Sequence, residues 1–354
     1  MTSVDASRRL RVAIVGLGMG ELMLDTVSAS PRAFVSALCD AREAHARSLA
    51  ERFRVPAVYT DYDEMLATEE LDAVCICTPN RLHAPMVRAA IGRGLHVMCE
   101  KPLTLDSGEA RALVAAARAA GITHGINFSN RSNPAVQYIR TQLEAGVCGR
   151  IREVHLTYLQ DWLSDPDAGY SWRNSRAESG SGVLGDLGSH VLDLSRIFVG
   201  EVAAVSAQLA VVTPERPRAD GTTGVVDADD LAHVHLRYVT GAYGLLRVSR
   251  IARGRCDVRR VELFGDRASL VLEVDAGVNR VLRADAMTGW RADGFREVYA
   301  YDPAISTWGG NTAAWIDAVL DRRPMSPDFE DGLRCQEILD AAVCSDKERR
   351  WIDL

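Results

Sequence analysis

Long apolar runs are missing from this chain. No stretch approaches the roughly 18 consecutive apolar residues that a membrane-spanning helix needs, and the opening MTSVDASRRLRVAIVG shows no cationic patch followed by an apolar signal core. The expectation is a soluble, cytoplasmic protein with no membrane partner. A basic surplus is missing too. Across 354 residues, 41 Lys and Arg stand against 48 Asp and Glu, a formal net charge of −7, and no basic stripe interleaves with aromatics. Phosphate backbones attract the opposite balance, so no nucleic-acid partner is expected. The eight cysteines lack any C-x2-C pairing. Cys39, Cys75, Cys77 and Cys99 sit instead inside apolar, strand-like stretches, as buried thiols of a reducing compartment do. A zinc set drawn from Cys75, Cys77 and His83 lacks the usual spacing, so no metal is expected. Internal repeats and low-complexity segments are also lacking.

What is present is ordinary globular composition, 47% hydrophobic and 25% charged, in a chain long enough for two domains. RVAIVG (11–16) is a short β-branched run ending in glycine, and FVSALCD (34–40) is a second, with a helix-length segment between them. AREAHARSLAERF (41–53) is rich in helix formers, and VYTDYDEML leads into LDAVCICTP (71–79), another buried strand. HAPMVRAAIGRG reads as helix and LHVMCEKP as strand. DSGEARALVAAARAAG reads as a helix capped at Asp106 or Ser107 and stopped at Gly121, and ITHGINF as a further strand. Strands alternating with helices predict a doubly wound parallel sheet, taken as one α/β domain over residues 1–129.

From 130 to 354 the texture changes. PAVQYIRTQLEAGVCG reads as one helix. IREVHLTYL, VAAVSAQLAVV, LAHVHLRYV, AYGLLRVSRIA and VRRVELFGDRASLVLEV then alternate with period two. That pattern predicts an α+β domain with a large, open, mostly antiparallel sheet. PRADGTTGVVDADD (217–230) reads as a polar loop, and helices near 311–322 and 330–345 close the chain.

VAIVGLGMGELMLDTV places Gly16, Gly18 and Gly20, with Leu17 and Met19 between them, directly after the first strand. The dinucleotide fingerprint asks for glycines at the first, third and sixth positions of this turn. The first permits the tight turn, the second lets backbone approach a pyrophosphate, and the third lets helix pack on strand. Gly16 and Gly18 fit, but Glu21 takes the third place and Gly20 falls one residue early. Asp40 ends the next strand, roughly 20 residues on, where an acid hydrogen-bonds a ribose diol and repels a 2′-phosphate. NAD is the expected cofactor. Arg42, beyond Ala41, keeps NADP as the alternative.

With those residues placed, CICTPNRLHAPMVRAAIGRGLHVMCEKPL resembles the Gfo/Idh/MocA family, relatives of glucose–fructose oxidoreductase and inositol dehydrogenase. The likeness lies in Thr78, Pro79, Asn80 and His83, and in Glu100, Lys101 and Pro102. GSGVLGDLGSHVLDLSRIFVG resembles the family's Asp-x-Gly-x-His-x-x-Asp block at Asp186, Gly188, His190 and Asp193, and SWR at 171–173 and the final ILDAAVCSDKERRWIDL also match. Nearly the whole chain is covered. The resemblance implies a Rossmann domain followed by a substrate domain whose open sheet assembles a homo-oligomer, a dimer or tetramer. It further implies hydride transfer between a nicotinamide and a carbinol of a sugar or cyclitol. Thr78, Pro79, Asn80, His83, Glu100, Lys101, Asn127, Trp172 and Arg173 are then expected at the cofactor. Lys101, Arg131, Trp162, Asp186 and His190 are expected at the substrate. Asn127, Arg131 and Pro134 match a family stretch at the domain junction, where packing is the alternative role.

Oxidising a secondary alcohol needs a base for the hydroxyl proton while the hydride departs. Lys101, at a strand's carboxyl end, lies where open α/β sheets bind ligands. Asp186 and His190, four apart on a helix, share one face, and a carboxylate there can fix the imidazole's tautomer. Lys101 is therefore expected as principal acid/base or polarising donor, with His190 as its companion and Asp186 orienting both His190 and substrate. The plainer readings are an exposed lysine and a helix-surface ion pair. Ser189, adjacent to His190, points elsewhere on a helix, which disfavours a hydrolase triad. Two other functions compete: an NAD-dependent glycosidase working through transient sugar oxidation, and a regulator that senses NAD or sugar without turnover.

Overall fold

The computed structural model describes residues 9–285, 294–302 and 308–354. The chain divides into two compact units: Met1–Ser129 with Trp308–Gln336, and Asn130–Thr307 with Glu337–Leu354. A single crossing at residue 129 is thus too simple, because the chain later returns to its first unit.

That unit is built on β1 (Leu10–Val15), β2 (Ala33–Cys39), β3 (Ala57–Tyr59), β4 (Ala73–Ile76), β5 (His96–Cys99) and β6 (His124–Ile126). Every pairing is parallel and the order is β3-β2-β1-β4-β5-β6. Strands buried on both faces read as unbroken apolar runs, as β4 does throughout and β1 from Val12 onward. The helix expected after Asp106 runs Ser107–Ala120. Asp106 caps it by accepting the Glu109 N–H, and Gly121 ends it at φ 64°. β3 and the Tyr62–Thr68 helix were hidden inside a stretch too short and too polar to show a period. The returning Gly310–Leu320 helix completes the core, bringing Trp315, Ile316 and Val319 to the side of the sheet formed by the Gly20–Ala29 helix, β5 and β6. Each such side chain, fully buried, contributes about 1.5–3 kcal/mol.

The second unit carries β7 (Ile151–Leu159), β8 (Val202–Ala210), β9 (Glu215–Pro217), β10 (Thr223–Val225), β11 (Leu231–Tyr238), β12 (Tyr243–Ser249), β13 (Val258–Gly265), β14 (Ala268–Asp275), β15 (Val278–Asp285), β16 (Arg296–Ala300) and β17 (Ile352–Asp353). Nine form one sheet in the order β16-β15-β14-β13-β7-β12-β11-β8-β17. Its pairings are antiparallel except β7 with β12, which run parallel. β11 and β12 alternate strictly between buried and exposed residues, so one face is packed and the other open. The stretch 217–230 is not simply loop. It contains most of a two-stranded hairpin, β9 with β10, whose strands are too short for alternation to register.

Candidate active site

In the first unit the carboxyl ends of β1, β2, β4, β5 and β6 lead into the glycine turn, Asp40, Thr78–Asn80, Glu100–Lys101 and Asn127 respectively. The strand order reverses between β1 and β4, the switch point at which such sheets open a crevice. Gly16 has φ +81°, and a Cβ there would lie 2.7 Å from the Cys77 carbonyl and the Thr78 nitrogen. Only glycine fits. Gly18 has no atom within 4 Å of its would-be Cβ, so its flank is open. Gly20 begins the Gly20–Ala29 helix, and its would-be Cβ lies 3.2 Å from Ile14 Cγ2 and 3.3 Å from Cys77 Cβ. It performs the helix-on-strand packing that the fingerprint gives to the sixth position. Glu21 is thereby released to the surface, where it accepts from Arg52 Nη2 at 2.6 Å.

Asp40 is almost completely buried. Its Oδ2 accepts the Leu17 N–H at 2.6 Å, tying the glycine turn to β2. Its Oδ1 accepts the Arg42 N–H at 2.8 Å, and the Arg42 guanidinium donates to both oxygens at 3.0 and 3.1 Å. Burial works against the charged form of Asp40. The bonds from Arg42 and Leu17 outweigh it and hold the carboxyl below its ordinary range.

His83 does not stand where a cofactor donor would. Its ring is fully buried, with Nδ1 2.8 Å from the Pro102 carbonyl oxygen and Nε2 2.9 Å from that of Thr78. It joins the two loops to each other, a positioning task rather than the expected ligand contact. Burial lowers its pKa, and the Lys101 charge adds to the effect. The Lys101–Pro102 peptide bond is cis. Glu100 is buried, with Oε1 accepting from Asn127 Nδ2 at 2.6 Å and Oε2 from the Lys101 N–H at 3.2 Å. That leaves Asn127 Oδ1 buried with no partner among the described residues, an acceptor awaiting a ligand donor. An open glycine flank, a carboxylate at the ribose position and an unmatched amide oxygen fit a bound dinucleotide.

In the second unit Asp186 lies in a π-turn, Leu184–Gly188, that runs straight into the Ser189–Val199 helix. The Ser189 N–H bonds to the Leu184 carbonyl, an i→i+5 step, so residues four apart fall a little short of one turn and stay on neighbouring positions. Such bulges recur at functional sites. His190 is buried beside Tyr158, ring centroids 6.2 Å apart. Asp186 stays partly exposed and faces Arg173 Nε at 3.7 Å, while the Arg173 guanidinium lies 4.4 Å from the Trp172 ring. Trp162 is exposed, its indole donating to Gln160 Oε1 at 2.9 Å. Arg131 is not an open substrate contact. It is buried against Asp193, forking onto both oxygens at 2.7 and 2.5 Å. A bidentate guanidinium–carboxylate pair of this kind fixes geometry, so the last acid of the block serves the helix.

Composition carries a further signal at Lys101. The chain has two lysines, Lys101 and Lys347, among 41 cationic residues. A chain that uses arginine almost everywhere else keeps lysine here, where a compact, proton-exchanging amine differs most from a guanidinium.

Sheet order, glycine turn and acid define a dinucleotide-binding domain. A family model described as an oxidoreductase family with an NAD-binding Rossmann fold matches residues 10–128, and one for the GFO/IDH/MocA C-terminal domain matches 136–271. The chain belongs to the Gfo/Idh/MocA family. Levoglucosan dehydrogenase of Pseudarthrobacter phenanthrenivorans is 32% identical over 98% of each chain. Inositol 2-dehydrogenase of Rhizobium meliloti is 26% identical over 98% of this chain and 99% of its own. A solved structure of levoglucosan dehydrogenase in complex with NADH and L-sorbose matches with a TM-score of 0.90 at 32% identity, covering 98% of this chain and 99% of that one. Among the described residues no helix is long and apolar enough to cross a membrane.

Proposed function

We propose that this chain oxidises a secondary hydroxyl of a sugar or cyclitol with NAD, and reduces the ketone in reverse. The observation that carries the reading is Lys101 directly after β5, at the carboxyl end of the sheet whose first turn carries Gly16 and Gly18. Bound at that turn, NAD supplies the hydride acceptor. Lys101 takes the hydroxyl proton as the carbinol C–H electron pair departs, and returns it in the reverse direction. His190 is the second proton-handling group, and Asp186, beside Arg173, orients the hydroxyls. Trp162 and Trp172 offer aromatic faces for a sugar ring. The Asp40–Arg42 pairing supports NAD over NADP, because the guanidinium is already committed to a carboxylate that repels a 2′-phosphate.

The first unit is assigned to cofactor and the second to substrate and assembly. Copies of the chain are inferred to associate through the open sheet face, where Tyr243 and Leu245 project among exposed polar neighbours. Six of the eight cysteines are buried as free thiols, which suits the cytoplasm.

A panel of sugars, cyclitols and nucleotide sugars with NAD and NADP, followed by NADH absorbance, tests the reaction. Lys101→Met should lower turnover about 1,000-fold, within the range for general acid–base groups, and leave NADH affinity nearly unchanged. Unchanged turnover refutes the role. Because only two lysines are present, labelled-lysine NMR separates them. The Lys101 signal should move on adding sugar to the NADH complex while that of Lys347 stays put.

A further inference from the structure

The segment after β10 holds three aspartates, and each fixes a different piece of backbone. Asp227 Oδ1 accepts the Arg176 N–H at 2.6 Å. Asp230 is fully buried, with Oδ2 accepting the Val212 and Thr213 N–H groups at 2.8 and 3.0 Å and Oδ1 accepting Arg250 Nε at 3.1 Å. Arg250, equally buried, donates onward to the carbonyls of Arg173 at 3.0 Å and Ala228 at 3.2 Å. The backbone of Arg173, whose side chain faces Asp186, is held through this pair.

Asp229 makes the most telling set. Its Oδ1 accepts the Gly182 N–H at 2.8 Å and its Oδ2 the Leu184 N–H at 2.9 Å. Its own carbonyl accepts the Val183 N–H at 2.9 Å. These three donors stand in a row where the helical segment bearing Asp186 and His190 begins. A helix start leaves about four N–H groups without an intrahelical partner, and a local Ser, Thr, Asp or Asn ordinarily serves them. Val183 precedes this π-turn with no side-chain cap. One residue, distant in sequence, serves in its place and brings a carboxylate to the positive end of the helix dipole. The two backbones run so close that a Cβ on Gly182 would fall 2.0 Å from the Asp229 carbonyl oxygen. Burial pushes the Asp229 carboxyl up from its ordinary value, against the hydrogen bonds it accepts.

We propose that Asp229 is the positioning residue for Asp186 and His190, capping their helix from across the sequence, while Asp230 and Arg250 set Arg173 beside Asp186. The proposal rests on the roles assigned to Asp186 and His190 above. A shift of about 1 Å in such groups lowers rates on the order of a hundredfold.

Asp229→Asn keeps the shape but turns one acceptor into an N–H facing an N–H. Hydrogen exchange over 182–190 should quicken at least about tenfold while the β1–β6 peptides and NADH affinity hold at wild-type values. On a sugar that the wild type oxidises, kcat should fall about 10- to 100-fold and its pH profile should move. A merely structural lesion lowers the folded fraction and leaves that profile in place. Arg250→Lys keeps a cation beside Asp230 but loses the Arg173 carbonyl, and should move the profile in the same direction by less. If Asp229→Asn does not fold, Asp229→Ser, which keeps one acceptor and places no N–H against the Gly182 and Leu184 donors, decides on the same readouts. Wild-type exchange over 182–190, or faster exchange with unchanged kcat and profile, overturns the proposal. A wild type that turns over no sugar overturns the proposed reaction instead, and the exchange comparison still decides whether Asp229 holds the helix.

Discussion

Replacing Gly18 by alanine separates fold from cofactor. No atom lies within 4 Å of the new methyl, and Gly18 is not among the positive-φ glycines, so the apo-protein should be as stable as wild type within about 0.5 kcal/mol. The methyl does occupy the flank where backbone would approach a pyrophosphate. Losing one hydrogen bond to a charged phosphate oxygen costs about 1.5–3 kcal/mol, which raises the Kd for NADH about 10- to 150-fold. Gly16→Ala is the contrasting variant. It forces a left-handed residue, about 1–2 kcal/mol, and puts a methyl 2.7 Å from the Cys77–Thr78 backbone, a clash that neither strand can relieve. It should lose stability with or without ligand. Thermal unfolding of the apo-protein and a fluorescence titration with NADH read the two effects independently. Wild-type NADH affinity in Gly18→Ala, or a stability loss matching that of Gly16→Ala, refutes the placement of the pyrophosphate.

Two further outcomes concern stability. His96 Nδ1 accepts the Thr123 N–H at 2.8 Å, and His124 Nδ1 accepts the Phe329 N–H at 3.2 Å. Burial lowers both pKa values, and a proton on Nδ1 would meet an N–H. Below about pH 6.5 the unfolded chain takes up protons that the native state refuses, so stability present above that pH falls by up to about 1.4 kcal/mol per pH unit for each ring. Urea midpoints should show this slope in wild type, and His96→Asn with His124→Asn, which keeps an acceptor in each place, should flatten it. Arg131→Ala removes the bidentate partner of the fully buried Asp193 carboxylate and leaves it the longer 3.8 Å contact with Arg196, so it should destabilise by about 3 kcal/mol in urea unfolding. Arg131→Ala with Asp193→Ala should recover part of that loss.

The parallel sheet was legible because strands buried on both faces write themselves as apolar runs, and the open sheet because half-buried strands alternate. What escaped was carried by short elements and distant partners. β9 and β10 span three residues each, below the length at which a period exists. Glu21 looked like a flaw in the glycine motif until Gly20 proved to pack on Ile14 and Cys77. Arg131 and His83 match family positions, but sequence does not say that Asp193 and two carbonyls already lie against their polar atoms. Asp229 was invisible for the same reason, since a cap that comes from across the sequence leaves no local spacing.

The Gly310–Leu320 helix also bears on how the protein is made. A ribosome releases all six parallel strands long before it reaches Trp315, so the flank formed by the Gly20–Ala29 helix, β5 and β6 stays uncovered while β7 to β16 are synthesised. At about 5–20 residues per second that interval lasts many seconds. During it that apolar flank is open to chaperones and to other nascent chains. A fragment ending at residue 129 should for that reason aggregate, and adding the 308–336 segment through a short linker should rescue it.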